Sequence, residues 1–255
     1  MRPIGRILAL VIAGSALAEP PPHMAAVPAG AYTPLMAATG PVAVASFLLD
    51  EKPVTNGEYL EFVRANEAWR RSHVKRLFAD DAYLQHWAGD LDFGTSSVSS
   101  PVTRVSWFAA KAYATWKGKR LPTQDEWEFA ALASETNAVG SDEPDFNQRI
   151  LAWYSRPVRD VLPEVGSTFR NVYGVWDLHG LVWEWVSDFN TALVTGESRA
   201  DSAIERQLYC GSGAAGATSF RDYAAFMRYA YRSSLKANYC VANLGFRCAK
   251  DMDAK

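Results

Sequence analysis

The amino-acid sequence predicts an α+β fold with little regular secondary structure. Three observations carry that expectation. Two apolar runs early in the chain have strand character, three later segments carry helix-start signals, and regular periodicity fades from Ser134 onward. The chain is 49% hydrophobic and 21% charged, which is globular composition and excludes a disordered or collagen-like polymer. With so little periodicity, the second half has to hold itself by aromatic packing and side-chain-to-backbone hydrogen bonds, and nine tryptophans suit that task.

The elements follow in chain order. Residues 1–18 read as a secretory signal peptide: Arg2 and Arg6 supply the positive start, Ile7 to Ala13 the apolar core, and Ala16-Leu17-Ala18 a small-x-small cleavage site. That run is shorter than the about 20 residues that span a bilayer, and no other stretch is long and apolar enough to do so. The expected location is therefore secreted or periplasmic. Residues 19–22 form a Pro-rich spacer, and residues 23–252 read as one domain, because no repeat or shift in composition divides them. Met24 to Tyr32 predicts a strand with a turn at Pro28 to Gly30, and Val42 to Leu49 a second strand. Thr55 and Glu58 form a capping box, followed at helical spacing by Tyr59, Phe62, Val63 and Asn66. A second helix starts at Ser106, gathers Trp107, Ala110, Tyr113, Ala114 and Trp116 on one face, and ends at Gly118. A third opens at Thr123 with Glu126 completing another capping box. Arg70 to Ser100 is mixed and ends in a Ser-rich loop.

Charge and cysteine content narrow the function classes. Lys and Arg total 26 against 28 Asp and Glu, and no basic cluster stands out, so nucleic acid is not an expected partner. Three cysteines, Cys210, Cys240 and Cys248, exclude a disulfide-dense scaffold and a four-thiolate metal site. An odd count leaves at least one thiol unpaired within the chain. In an oxidising compartment a Cys210–Cys240 disulfide is one option; redox or copper-contacting thiols and inert free thiols are the others.

Five segments in order then resemble the formylglycine-generating enzyme family, also called the sulfatase-modifying factor family. They are Pro53 to Phe62 (PVTNGEYLEF), Pro101 to Trp107 (PVTRVSW) with Ala112-Tyr113, and Gly118 to Thr123 (GKRLPT) with Glu126-Trp127-Glu128. Asn171 to Gly180 (NVYGVWDLHG) running into Val182 to Trp185 (VWEW), and Asn243 to Cys248 (NLGFRC), complete the set. The resemblance implies a compact fold related to C-type lectins. It also implies the founding activity, oxidation of a sulfatase cysteine to formylglycine by oxygen on a copper(I) ion held by a Cys-x4-Cys pair. Two thiolates are soft ligands that select Cu(I). This chain departs there, because no cysteine lies between Gly211 and Tyr239, where the pair belongs. Copper and formylglycine-generating activity are accordingly not expected.

The resemblance also distributes site residues. Ser219 to Arg232 replaces the catalytic pair and carries three Arg and one Asp among five aromatics. It reads either as a surface loop with Arg–Asp pairs or as a remodelled pocket for an anionic or aromatic ligand, with Asp222, Tyr223, Arg228 and Arg232 as candidates. Trp183 and Ser212 fall where the family lines its active-site pocket. Asp177, Gly180, Val182 and Glu184 match the family's structural calcium site, two carboxylates bracketing two backbone carbonyls. His73, His86 and His179 lack a metal-ligand spacing and read as surface or hydrogen-bonding histidines. Cys248 is expected to be unpaired and buried in a strand, since Ala114 stands where some relatives place its partner.

The functional expectation is an exported accessory or maturation factor, a pseudoenzyme acting on another exported protein; a resemblance to accessory proteins found with copper nitrite reductases suggests a copper or denitrification enzyme. The alternatives are a cysteine-independent oxidoreductase in a periplasmic tailoring pathway and a non-catalytic lectin-like binding module.

Overall fold

The computed structural model describes residues 22–34, 40–159, 161–190 and 220–252, with only the backbone of 141, 144 and 220–222. The expected signal peptide, most of the expected spacer, Cys210 and Ser212 lie outside the described residues, as does the side chain of Asp222.

Each of the two expected strands is broken in two. β1 (Met24–Val27) and β2 (Gly30–Tyr32) flank Pro28, and β3 (Val42–Val44) and β4 (Phe47–Asp50) follow. Proline has no N–H for a ladder and fixes its own φ, so the first run bends there. The result is one bent antiparallel hairpin, with β2 paired to β3 and β1 to β4 in the register Met24↔Asp50 to Val27↔Phe47. β4 is buried along its whole length because β7 (Ala249–Asp251) covers its other edge, making the sheet order β1-β4-β7. β5 (Trp183–Glu184) and β6 (Leu244–Gly245) form a short parallel pair.

The three expected helices form where their caps place them. α1 (Asn56–Ala65) and α3 (Gln124–Ala131) each open on a complete capping box: Thr55 and Thr123 accept from the amides of Glu58 and Glu126, whose carboxylates return to the cap amides at 2.8 Å each. α2 (Trp107–Trp116) opens on Ser106, which accepts from the Ala109 amide, and stops before Gly118, held at φ +66°. Two further helices have no counterpart in the sequence reading: α4 (Pro144–Tyr154), with proline in its first turn, and α5 (Phe220–Ser233).

The core is aromatic. Tyr59 is fully buried between Tyr113 and Phe246, and its hydroxyl meets that of Tyr83 at 2.8 Å. Tryptophan rings bury area while their N–H groups find backbone carbonyls: Trp185 donates to Val105 O and Trp107 to Val186 O. That is the side-chain-to-backbone bonding expected of a chain with few regular elements. No described helix is long and apolar enough to cross a membrane.

Candidate functional site

A cleft of about 330 Å³ opens beside Trp183. Its wall is a block of stacked rings from three elements. Trp183 on β5 lies 4.4 Å from Tyr231 of α5 and 4.9 Å from Tyr154 of α4, centroid to centroid, and both pairs are nearly parallel. Trp153 adds a fourth ring at 5.3 Å. Exposed Arg156 and Arg159 and half-buried Thr168, Gly180 and Asn243 also line it. Gly180 is required, because its φ is +104° and a Cβ there would lie 2.9 Å from the Thr168 side chain.

Asp177 anchors Thr168, one of the lining residues. It takes a left-handed backbone (φ +60°), and its carboxylate accepts the amides of Gly166 and Thr168 and the Thr168 hydroxyl, the latter at 2.8 Å. Glu184 is clamped by Arg247 on both oxygens at 2.8 Å each and takes the Trp127 N–H at 2.7 Å. A cation that used Glu184 would have to displace a guanidinium from a pair with no exposed side-chain surface. Of the residues expected to hold calcium, Asp177, Gly180, Val182 and Glu184, the two carboxylates accept from turn amides and from a buried arginine.

Phe220 to Arg232 is not a loop; with Ser233 it forms the fourteen-residue helix α5. Arg228 and Arg232, one turn apart, point inward onto Glu128 of α3. Arg228 reaches both Glu128 oxygens at about 3 Å, and Arg232 reaches one at 2.5 Å while lying over the Trp127 ring. Burial alone would raise the Glu128 carboxyl, but the two guanidinium groups overrule it and hold it down to about 2. Arg228 also donates to the Tyr154 hydroxyl, which ties the ion cluster to the ring block. Of the sequence candidates, Trp183 therefore lines the cleft, Arg228 and Arg232 stand behind its wall, and Tyr223 is 40% exposed on α5 away from it.

Sequence reasoning missed Arg156, Arg159, Trp153 and Tyr154. The apolar-aromatic ending of α4 (Ile150, Leu151, Trp153, Tyr154) was the available signal.

The histidines divide. His73 is exposed beside Glu67, and His179 is buried with Nε2 donating to Ala131 O at 2.9 Å. His86 departs from expectation: both ring nitrogens are buried with no partner. Cys240 and Cys248 are buried free thiols, Cys248 immediately before β7 rather than within it. Burial pushes both thiols up, aided by Asp80 at Cys240 and Asp50 at Cys248, so neither is a ready thiolate. The Cys210 half of the proposed disulfide lies outside the described residues.

Short strands, capped helices and a loop-built tryptophan core define the fold of formylglycine-generating proteins, and the comparisons agree. Residues 12–252 match the FGE-sulfatase family, the sulfatase-modifying factor enzyme 1-like domain. The chain belongs to that family. It is 33% identical to the formylglycine-generating enzyme of Streptomyces coelicolor, over 81% of this chain and 79% of that protein. It is 30% identical to the inactive C-alpha-formylglycine-generating enzyme 2 of Bos taurus, over 82% of this chain and 78% of that one. The solved structure of PvdO from Pseudomonas aeruginosa shares the fold at 18% identity, with a TM-score of 0.50, covering 90% of this chain and 94% of that chain.

Proposed function

We propose that this chain is an exported member of the family that has lost formylglycine chemistry and acts as an accessory or maturation factor for another exported protein, a copper enzyme in the first instance. The observation that carries the reading is α5. Where the family's cysteine pair belongs, this helix supplies Tyr231 to the ring block and Arg228 and Arg232 to Glu128. The cleft then offers stacked rings, two exposed arginines and hydroxyl groups, a set that binds an aromatic or anionic group of a client. Likeness to a relative named inactive supports the loss of activity.

Two measurements test this. The purified protein, supplied with copper and a cysteine-containing sulfatase peptide, should consume no oxygen and hold no stoichiometric copper; turnover overturns the loss of activity. Deleting the chain in its host should leave exported copper enzymes under-loaded, with rescue by the wild type and not by Trp183→Ala. Full copper loading in the deletion strain removes the accessory role.

A further inference from the structure

A second pocket, of about 400 Å³, shares Val158, Arg159 and Leu162 with the Trp183 cleft. It is lined by His86, Ser96, Thr103, Arg104 and Arg159 together with groups already engaged. Asn56 donates to Ser97 O and accepts from Trp87, and the Ser100 hydroxyl donates to Leu162 O. His86 is the anomaly: both of its ring nitrogens are shielded from water and neither has a hydrogen-bond partner. Buried polar atoms are almost always satisfied, so an orphaned imidazole on the wall of a cavity indicates a missing partner. Arg104 is held beside it by a strained pair of residues. Leu84 and Arg104 both take left-handed backbone, at φ +46° and +53°, and the Leu84 amide donates to Arg104 O at 2.9 Å. The Arg104 amide is fixed in turn on Val241 O.

We propose that this pocket is a binding site for a tetrahedral oxyanion, a sulfate or phosphate group. The chemistry follows from the donors. Two guanidinium groups and two hydroxyls line the pocket beside the His86 ring, and no carboxylate stands among the described lining residues. A tetrahedral anion presents three or four acceptor oxygens to such a set, whereas a planar carboxylate presents two. Burial, with Arg104 and Arg71 nearby, lowers His86 to about 4, so in the absence of an anion it stands neutral at pH 7 with one N–H to donate. The site shares Arg159 with the Trp183 cleft, but its argument does not rest on the role assigned to that cleft.

The test is a titration of the whole mature protein with sodium sulfate, inorganic phosphate and, as a planar control, acetate, at constant ionic strength. Binding is followed by calorimetry and by the His86 ring proton resonances. Sulfate and phosphate should shift His86 saturably, with acetate at least tenfold weaker. Arg104→Asn, chosen because asparagine tolerates a left-handed backbone, and the exposed Arg159→Gln should each weaken binding about tenfold while circular dichroism stays unchanged. No shift of His86, or an equal shift in both variants, overturns the site. Equal response to acetate overturns the tetrahedral assignment.

Discussion

Glu184 and Arg247 form an ion pair without exposed side-chain surface, and Arg247 commits all five of its N–H groups. Two go to the Glu184 carboxylate, one each to Asp50 O and Glu51 O, and one to Trp176 O. A single guanidinium thereby ties the end of β4, the loop before Asp177, and β5. In a fold with few ladders, this arginine supplies the hydrogen bonds that a sheet would otherwise provide.

Removing one partner leaves a buried charge uncompensated, which costs about 3–5 kcal/mol. Glu184→Gln and Arg247→Met should each lower the melting temperature on the order of 10 °C for a domain of this size. Because the carboxylate is clamped by arginine, a calcium chelator should leave the melting temperature of the wild type unchanged. A drop of several degrees on chelation, reversed by calcium, would show that Glu184 leaves Arg247 for a cation.

Glu128 links the fold to acid. Its folded carboxyl is held down to about 2, from an ordinary 4.5, by Arg228 and Arg232 despite burial. A depressed carboxyl stabilises the protein above pH 4.5, and the contribution is lost as pH falls from there through 2. Urea midpoints from pH 5 to 2.5 should fall more steeply for the wild type than for Glu128→Gln, which starts less stable at neutral pH. Parallel curves would remove the ion cluster from the account.

These buried charges also mark how far the sequence could be read. Thr55, Ser106 and Thr123 were legible because a cap is local: the hydroxyl and the amide it accepts from lie three residues apart. Trp183 was legible through its motif. α5 was not, because Arg228 and Arg232 interrupt its apolar face and look like solvated positions until Glu128, a hundred residues earlier, is placed opposite them. The partners of Asp177 and Glu184 were hidden for the same reason, since Thr168 and Arg247 meet them only in three dimensions. A carboxylate with a distant donor and a carboxylate with a cation share one local sequence.

His179 acts over a different pH range. Burial, with Arg228 nearby, lowers it from 6.5 to about 3, so the folded protein keeps it neutral while the unfolded chain takes up a proton below pH 6.5. The unfolded state then binds more protons, and stability must decline as pH falls from 6.5 to 3. His179→Gln, which keeps a donor for Ala131 O, should flatten that decline; the lowered His86 adds to it in the same window and should be replaced in a second background. A slope unchanged by both replacements would mean that neither imidazole is neutral in the folded state.

Cys240 and Cys248 should resist alkylation while the protein is folded. Their side chains are buried, at 3% and 0% exposure, and their thiols are pushed up by burial and by the neighbouring Asp80 and Asp50 carboxylates. Iodoacetamide reacts with an accessible thiolate, and both requirements fail here at neutral pH. Peptide-resolved mass spectrometry should therefore find these two positions unmodified in the native protein and fully modified in urea. The same two conditions govern copper(I), a soft ion that also needs thiolates. Labelling of Cys240 in the native state, at the rate of an unfolded peptide, would mean that its thiol reaches solvent and could serve as a ligand; continued protection in native buffer, with release only on unfolding, keeps both cysteines within the core.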